Sequence, residues 1–192
     1  MADTAKPSAA NVSAAKPSIT GAVSTAPVGT TLPTTATAEL DAAFKRLGYL
    51  TEDGLVNTIG ITTESIKAWG GDVVLNTQTE KTDSWKYALM EILNPDVLKA
   101  TFGDDNVSGT LESGLTVKAN GLELSPHAFV FDMILNGGVL KRVVIPTATV
   151  SALDDITYKS DTAVVYGQTI VATPDEEGNT HYEYIQKKGT GD

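Results

Sequence analysis

Chemistry in this 192-residue chain would have to start from two histidines and a few close groups of carboxylates. His127 follows Pro126 and His181 precedes Tyr182, so neither has an acidic or basic neighbour in sequence. The chain has no cysteine, which removes thiolate metal sites, disulfide frameworks and a Cys/His zinc set together. Asp104-Asp105-Asn106 puts two carboxylates and an amide in a row, as a calcium loop would. The D-x-D-x-D-G spacing with a distal glutamate is missing, so a solvated turn is expected there. Asp154-Asp155 and Glu176-Glu177 also fall in turn-like sequence, where solvation explains them more simply than a glycosidase pair. A Ser-His-Asp arrangement can occur in any chain order. The chain nevertheless contains no G-x-S-x-G, H-E-x-x-H or G-x-x-x-x-G-K-[ST] motif, and no G-x-G-x-x-G after a strand. The expectation is a protein without catalysis, cofactor or metal.

The rest of the composition points to a building block. The formal charge is −10 and the pI about 4.6, a poor basis for gripping nucleic acid, which needs clustered Lys and Arg. An acidic wall would instead let a polyanion slide past without sticking. No apolar run reaches the roughly 18 residues of a membrane-spanning helix, and residues 1–10 lack the apolar core of a signal peptide. No membrane anchor is expected.

Residues 1–38 stand apart. Ala, Ser, Thr and Pro make up 26 of the 38, no aromatic is present, and Ala-Lys-Pro-Ser occurs twice, at 5–8 and 15–18. Such a segment buries too little apolar area to order itself, so it reads as an extended arm. On that reading, removing residues 1–36 leaves the remaining domain folded. A short helix is expected next, capped by Thr37, with Leu40, Ala43, Phe44 and Leu47 on its apolar face and Gly48 at its end. Asp53-Gly54 signals a turn. The segment 51–71, with Trp69 among polar residues, reads as a projecting loop.

The stretch 72–103 reads as the organising element. Val73, Leu75, Thr77 and Thr79 alternate, as do Trp85, Tyr87, Leu89, Glu91 and Leu93 after the polar 80–83 segment, which suggests a two-stranded ribbon. A helix over about 95–102 follows. Asn94 suits its cap, Pro95 its first position, Asp96 its positive end and Gly103 its stop, with Leu98 and Phe102 on one stripe. Further on, Leu111, Leu115 and Val117 lead to a hairpin at Asn120-Gly121, with 122–124 as its second strand. Strand residues 129–135 turn back through Asn136-Gly137-Gly138 into a strand that continues past Pro146 to Leu153, the clearest hairpin of the chain. Strands are also expected at 156–159, 163–172 and 180–186, the last two joined by the acidic turn 174–179, and 187–192 reads as a frayed tail. The domain at 39–186 is therefore expected to be all-β with minor α, a β-sandwich or barrel with one short flanking helix. Its exposed strand edges call for partners.

Five segments, taken in order, carry a resemblance. They are Leu47-Gly48-Tyr49-Leu50-Thr51-Glu52-Asp53-Gly54, Lys67-Ala68-Trp69-Gly70-Gly71-Asp72, Asn94-Pro95-Asp96-Val97-Leu98-Lys99, the run from Gly137 to Pro146, and the run from Thr173 to Tyr182. Together they resemble the major tail (tail tube) protein of long-tailed, non-contractile bacteriophages over roughly residues 39–186. The resemblance implies a β-sandwich protomer that forms hexameric rings, stacked into a tail tube for genome delivery. It implies self-association, other tail proteins (tape measure, tail terminator, distal tail) as partners, and genomic DNA passing through the lumen without specific binding. It places the protein in the virion tail, assembled in the host bacterial cytoplasm. Glu52, Asp53, Lys67 and Trp69 are the candidates for contacts between rings, and Glu80, Lys81 and Asp83 for the lumen or the seam between copies. Without the arm, whose Asp3, Lys6 and Lys16 carry +1, the remaining residues carry −11, which suits an acidic lumen. Two other readings are a tube protein of a contractile tail or secretion apparatus, and a carbohydrate-binding β-sandwich surface module.

Overall fold

A computed structural model describes residues 6–19 and 21–187. Eleven strands and one α-helix follow in chain order among them: β1 (Ala15–Pro17), β2 (Val23–Pro27), β3 (Lys45–Arg46), β4 (Val56–Lys67), β5 (Val73–Leu89), α1 (Pro95–Phe102), β6 (Val107–Thr110), β7 (Gly114–Val117), β8 (His127–Leu135), β9 (Val139–Leu153), β10 (Tyr166–Ala172) and β11 (Tyr182–Lys187). One antiparallel sheet runs β3-β2-β8-β9-β10-β5-β4, with β1 also on β8 and β11 on β9, while β6 and β7 form a separate hairpin. Strand accounts for 47% of the described residues and helix, counting three short 3-10 turns, for 9%, so the fold is all-β with minor α, sandwich-like and without a closed barrel among them.

The β8–β9 hairpin is the centre. Gly137 and Gly138 both have φ near +70°, a conformation open to glycine and costly for other residues, and they fix the register Leu135↔Val139. Alternation then buries both faces. Phe129, Phe131, Val143 and Ile145 enter the main core, while Ala128, Val130 and Val144 enter a second cluster with Ala26 and Phe44. Pro146 is tolerated inside β9 because it sits where the neighbouring strand changes. Below it β11 pairs with residues 139–144, above it β10 pairs with 148–153, and the register with β8 shifts at the same level.

In the main core, the β5 aromatics close over β8. Trp85 stacks on Phe131 at 6.0 Å and Tyr87 meets the same ring edge-on at 5.4 Å. The helix α1 forms as its punctuation dictates: Asn94 accepts from the Asp96 amide at 3.0 Å, and Gly103 ends it at φ 98°. It delivers Val97 and Leu98 to the core. Gln168, fully buried on β10, ties the layers together by accepting from the Tyr87 hydroxyl and donating to Thr101 Oγ1.

The structure differs from the sequence expectations in several places. The arm expected over residues 1–38 enters the sheet where it is described: β1 and β2 both pair with β8, β2 over five residues, and Val23, Ser24, Thr25 and Ala26 are buried. Small side chains suit a strand covered on both faces, and composition alone cannot see the partner that covers it. The expected helix at 37–48 is replaced by a turn at Asp41–Phe44, where the Phe44 amide donates to the Asp41 carbonyl, and then by β3. Phe44 and Leu47 enter different hydrophobic clusters, so their helical spacing did not mark one face.

The ribbon within 72–93 and the loop at 51–71 are both replaced by one hairpin, in which β5 is a single strand paired with β4. Threonines and β-branched residues on both sides favour extended backbone through the polar middle. No hairpin forms at Asn120-Gly121. The local hairpin is instead β6–β7, where a Cβ on Gly109 would meet the Gly114 carbonyl oxygen at 2.0 Å. Residues 156–159 form no strand, β10 begins only at Tyr166, and β11 takes in Lys187. Residues 188–192 of the expected tail lie outside the described residues.

Candidate functional site

The β4–β5 hairpin is the feature that the fold leaves unfinished. All ten residues from Val73 to Thr82 are exposed, and burial begins abruptly at Asp83. At about 3.3 Å per residue, the free part of β5 spans roughly 33 Å. β4 is an edge strand, exposed throughout except for half-buried Gly60. The ribbon carries exposed Ile59, Ile61, Ile66, Val73, Val74 and Leu75, more apolar surface than a solvated appendage needs. An isolated two-stranded hairpin is marginal in water, and this one leaves a twelve-residue ladder of backbone donors and acceptors open along β4.

Its tip is a tight turn in which the Ala68 amide donates to Asp72 and the Gly71 amide to Ala68, both at 2.8 Å. Gly71, at φ 94°, makes the reversal possible. Trp69 projects from it, wholly exposed.

The base is anchored by a buried carboxylate. Asp83, 1% exposed, accepts from Asn57 Nδ2 at 2.7 Å on β4 and from Thr180 Oγ1 at 2.6 Å, and it meets His181 Nδ1 at 2.5 Å just before β11. Burial pushes its pKa up, but the hydrogen bonds from Thr180, His181 and Asn57, with the charge of His181, outweigh that and hold the carboxyl below its usual range. His181 in turn stands edge-on to Trp85, with centroids 5.1 Å apart. The His–Asp pair resembles a base with its orienting group, yet the Thr180 hydroxyl donates to the carboxylate oxygen that also faces His181. The group therefore works as a clamp on the root of the hairpin.

A family model described as phage tail tube protein matches residues 6–190. The chain belongs to that family. No match is found among curated proteins. As a tail tube protein it is a structural component of the virion tail that self-assembles into a tube with other tail proteins. The match begins at Lys6, so it takes in the part of the arm from residue 6 onward, which the sequence resemblance leaves out. Among the described residues, no helix of this tail tube protein is long and apolar enough to cross a membrane.

The sequence candidates separate in space. Glu52 and Asp53 lie exposed in the turn closed by the Gly54 amide on Thr51, at the root of the hairpin. Lys67 ends β4 and Trp69 caps the tip, so a single tube protomer does not bring the four together. Glu80 and Lys81 are exposed opposite Thr62 and Ile61, whereas Asp83 faces its own protomer's interior.

Sequence reasoning missed Asn57, Thr180 and His181 as the anchor, and Arg142 with Asp132. Two signals were available. Asp83 shares the odd-numbered face of Trp85, Tyr87 and Leu89, which predicts burial and hence partners. The Asn136-Gly137-Gly138 turn sets Asp132 opposite Arg142.

Proposed function

We propose that this protein polymerises as hexameric rings whose stacking forms the tail tube, a conduit through which the genome is delivered. The projecting β4–β5 hairpin carries this reading, because its open edge and exposed apolar residues call for pairing with neighbouring copies. In the ring, hairpins of adjacent copies join edge to edge, and Glu80 and Lys81 lie at the lumen or the seam. The net charge of −10 supports a lumen that DNA crosses without specific binding. The part played here is structural, without catalysis, and assembly takes place in the host bacterial cytoplasm. Tape measure, tail terminator and distal tail proteins complete the set of partners. Negative-stain electron microscopy of the purified chain tests this. Rings or tubes with sixfold end views are expected, and monomeric particles at high concentration would overturn the proposal.

A further inference from the structure

The hairpin carries a fully exposed tryptophan at one end and an unfilled cleft beside the other. The cleft, about 420 Å³, lies between β1 and the segment leading into β4. Leu50, Leu55 and Met133 supply apolar walls, Glu52 and Asp53 bring negative charge, and Lys16 brings positive charge from β1. The tip has the opposite arrangement, with Lys67 before Trp69 and Asp72 after it. An indole leaving water buries on the order of 200 Å², and tryptophan is among the residues that most often dominate an interface. A chain cannot reach its own cleft with its own tip. The cleft adjoins the start of β4 and Trp69 lies beyond its far end, twelve residues or about 40 Å of strand away.

We propose that Trp69 of one copy inserts into the cleft of a copy in the next ring, with Lys67 set against Glu52 and Asp53 and Asp72 against Lys16. This rests on the stacked-tube reading and names the residues that would join one ring to the next. The contact is heterologous: every copy offers a tip and a cleft, so the interaction propagates along an axis without closing on itself. Charge complementarity fixes which wall the lysine faces, which gives stacking a single orientation.

The absence of native cysteine makes the test direct. Gly70→Cys, beside Trp69 at the tip, and Ala15→Cys, on the wall of the cleft, are prepared separately as full-length chains, both at exposed positions that leave Trp69 and the charged groups in place. Mixed under assembly conditions and oxidised, they are expected to give covalent dimers, while neither variant alone gives any. Dimers from Gly70→Cys alone would mean tip-to-tip contact and overturn the proposal. Tubes that form from the mixture without cross-linking overturn it too, while leaving the tube reading in place. Failure of the unaltered chain to form any ring or tube removes both. As a second measurement, Lys67→Glu is expected to abolish stacking while rings persist, and Glu52→Lys with Asp53→Lys in the same chain to restore it. Normal stacking by Lys67→Glu alone counts against the charge pairing.

Discussion

Arg142 on β9 grips Asp132 on β8 with two hydrogen bonds, Nε to Oδ1 at 2.6 Å and Nη2 to Oδ2 at 3.1 Å. Its Nη1 donates to the backbone carbonyls of Ala38, at 2.6 Å, and Thr35, at 3.1 Å. One guanidinium thus joins the two central strands and pins the segment that covers their second face. Leu32, Leu40 and Ala43 in that segment pack on Ala128, Val130 and Val144.

Replacing Arg142 by Ala leaves Asp132 without its partner and frees the 35–38 carbonyls. The cost expected is about 3 kcal/mol, seen in urea denaturation. Arg142→Lys should recover only part of it, because a single ammonium cannot reproduce the fork. Limited proteolysis should then cut first within residues 28–43. Unchanged stability and cleavage would show that the covering segment is held by its apolar contacts alone.

Asp83 makes stability depend on acid. Its folded pKa lies below the unfolded value of about 3.9, so its contribution is fully present above that value and is lost as pH falls through the folded one. Asp83→Asn should destabilise at pH 7 by about 2 kcal/mol and show a shallower loss of stability below about pH 4 than the unaltered chain. Hydrogen exchange should rise first at the hairpin root, around Asn57 and Thr180. Identical acid profiles for the two chains would refute this role for Asp83.

Truncation separates the parts of the arm. Deleting residues 1–12 removes neither β1 nor β2, and the chain should fold with unchanged circular dichroism. Deleting residues 1–36 removes β2 and strips the partner from the β8 edge at residues 127–131. Composition suggests that this larger deletion is harmless, whereas the sheet predicts loss of cooperative unfolding. A fully folded 37–192 chain would show that β2 is dispensable.

Local devices were legible in the sequence because each is encoded within a few residues. Asn94, Pro95 and Gly103 delimit α1 through backbone groups that a helix must satisfy at its own ends. Asn136-Gly137-Gly138 sets the central hairpin because positive φ is cheap for glycine, and alternation marks Phe129, Phe131, Trp85, Tyr87 and Leu89 as core. The same pattern could not say which strand lies beside which. Val23 to Ala26 are small and weakly apolar, and only the uncovered edge of β8 makes them a buried strand. β5 looked like two strands because Glu80 to Asp83 interrupt its apolar alternation, but the backbone ladder with β4 runs through polar residues as readily as apolar ones. Phe44 and Leu47 share a helical spacing, and the two faces of the sheet pull them apart. Sequence determined turns, caps and faces, since these follow from the chain's own torsions and periodicity. Tertiary structure decided the strand partners, the groups that Asp83 and Arg142 bind, and the placing of Trp69 a hairpin's length from the cleft, because each depends on residues far apart in the chain.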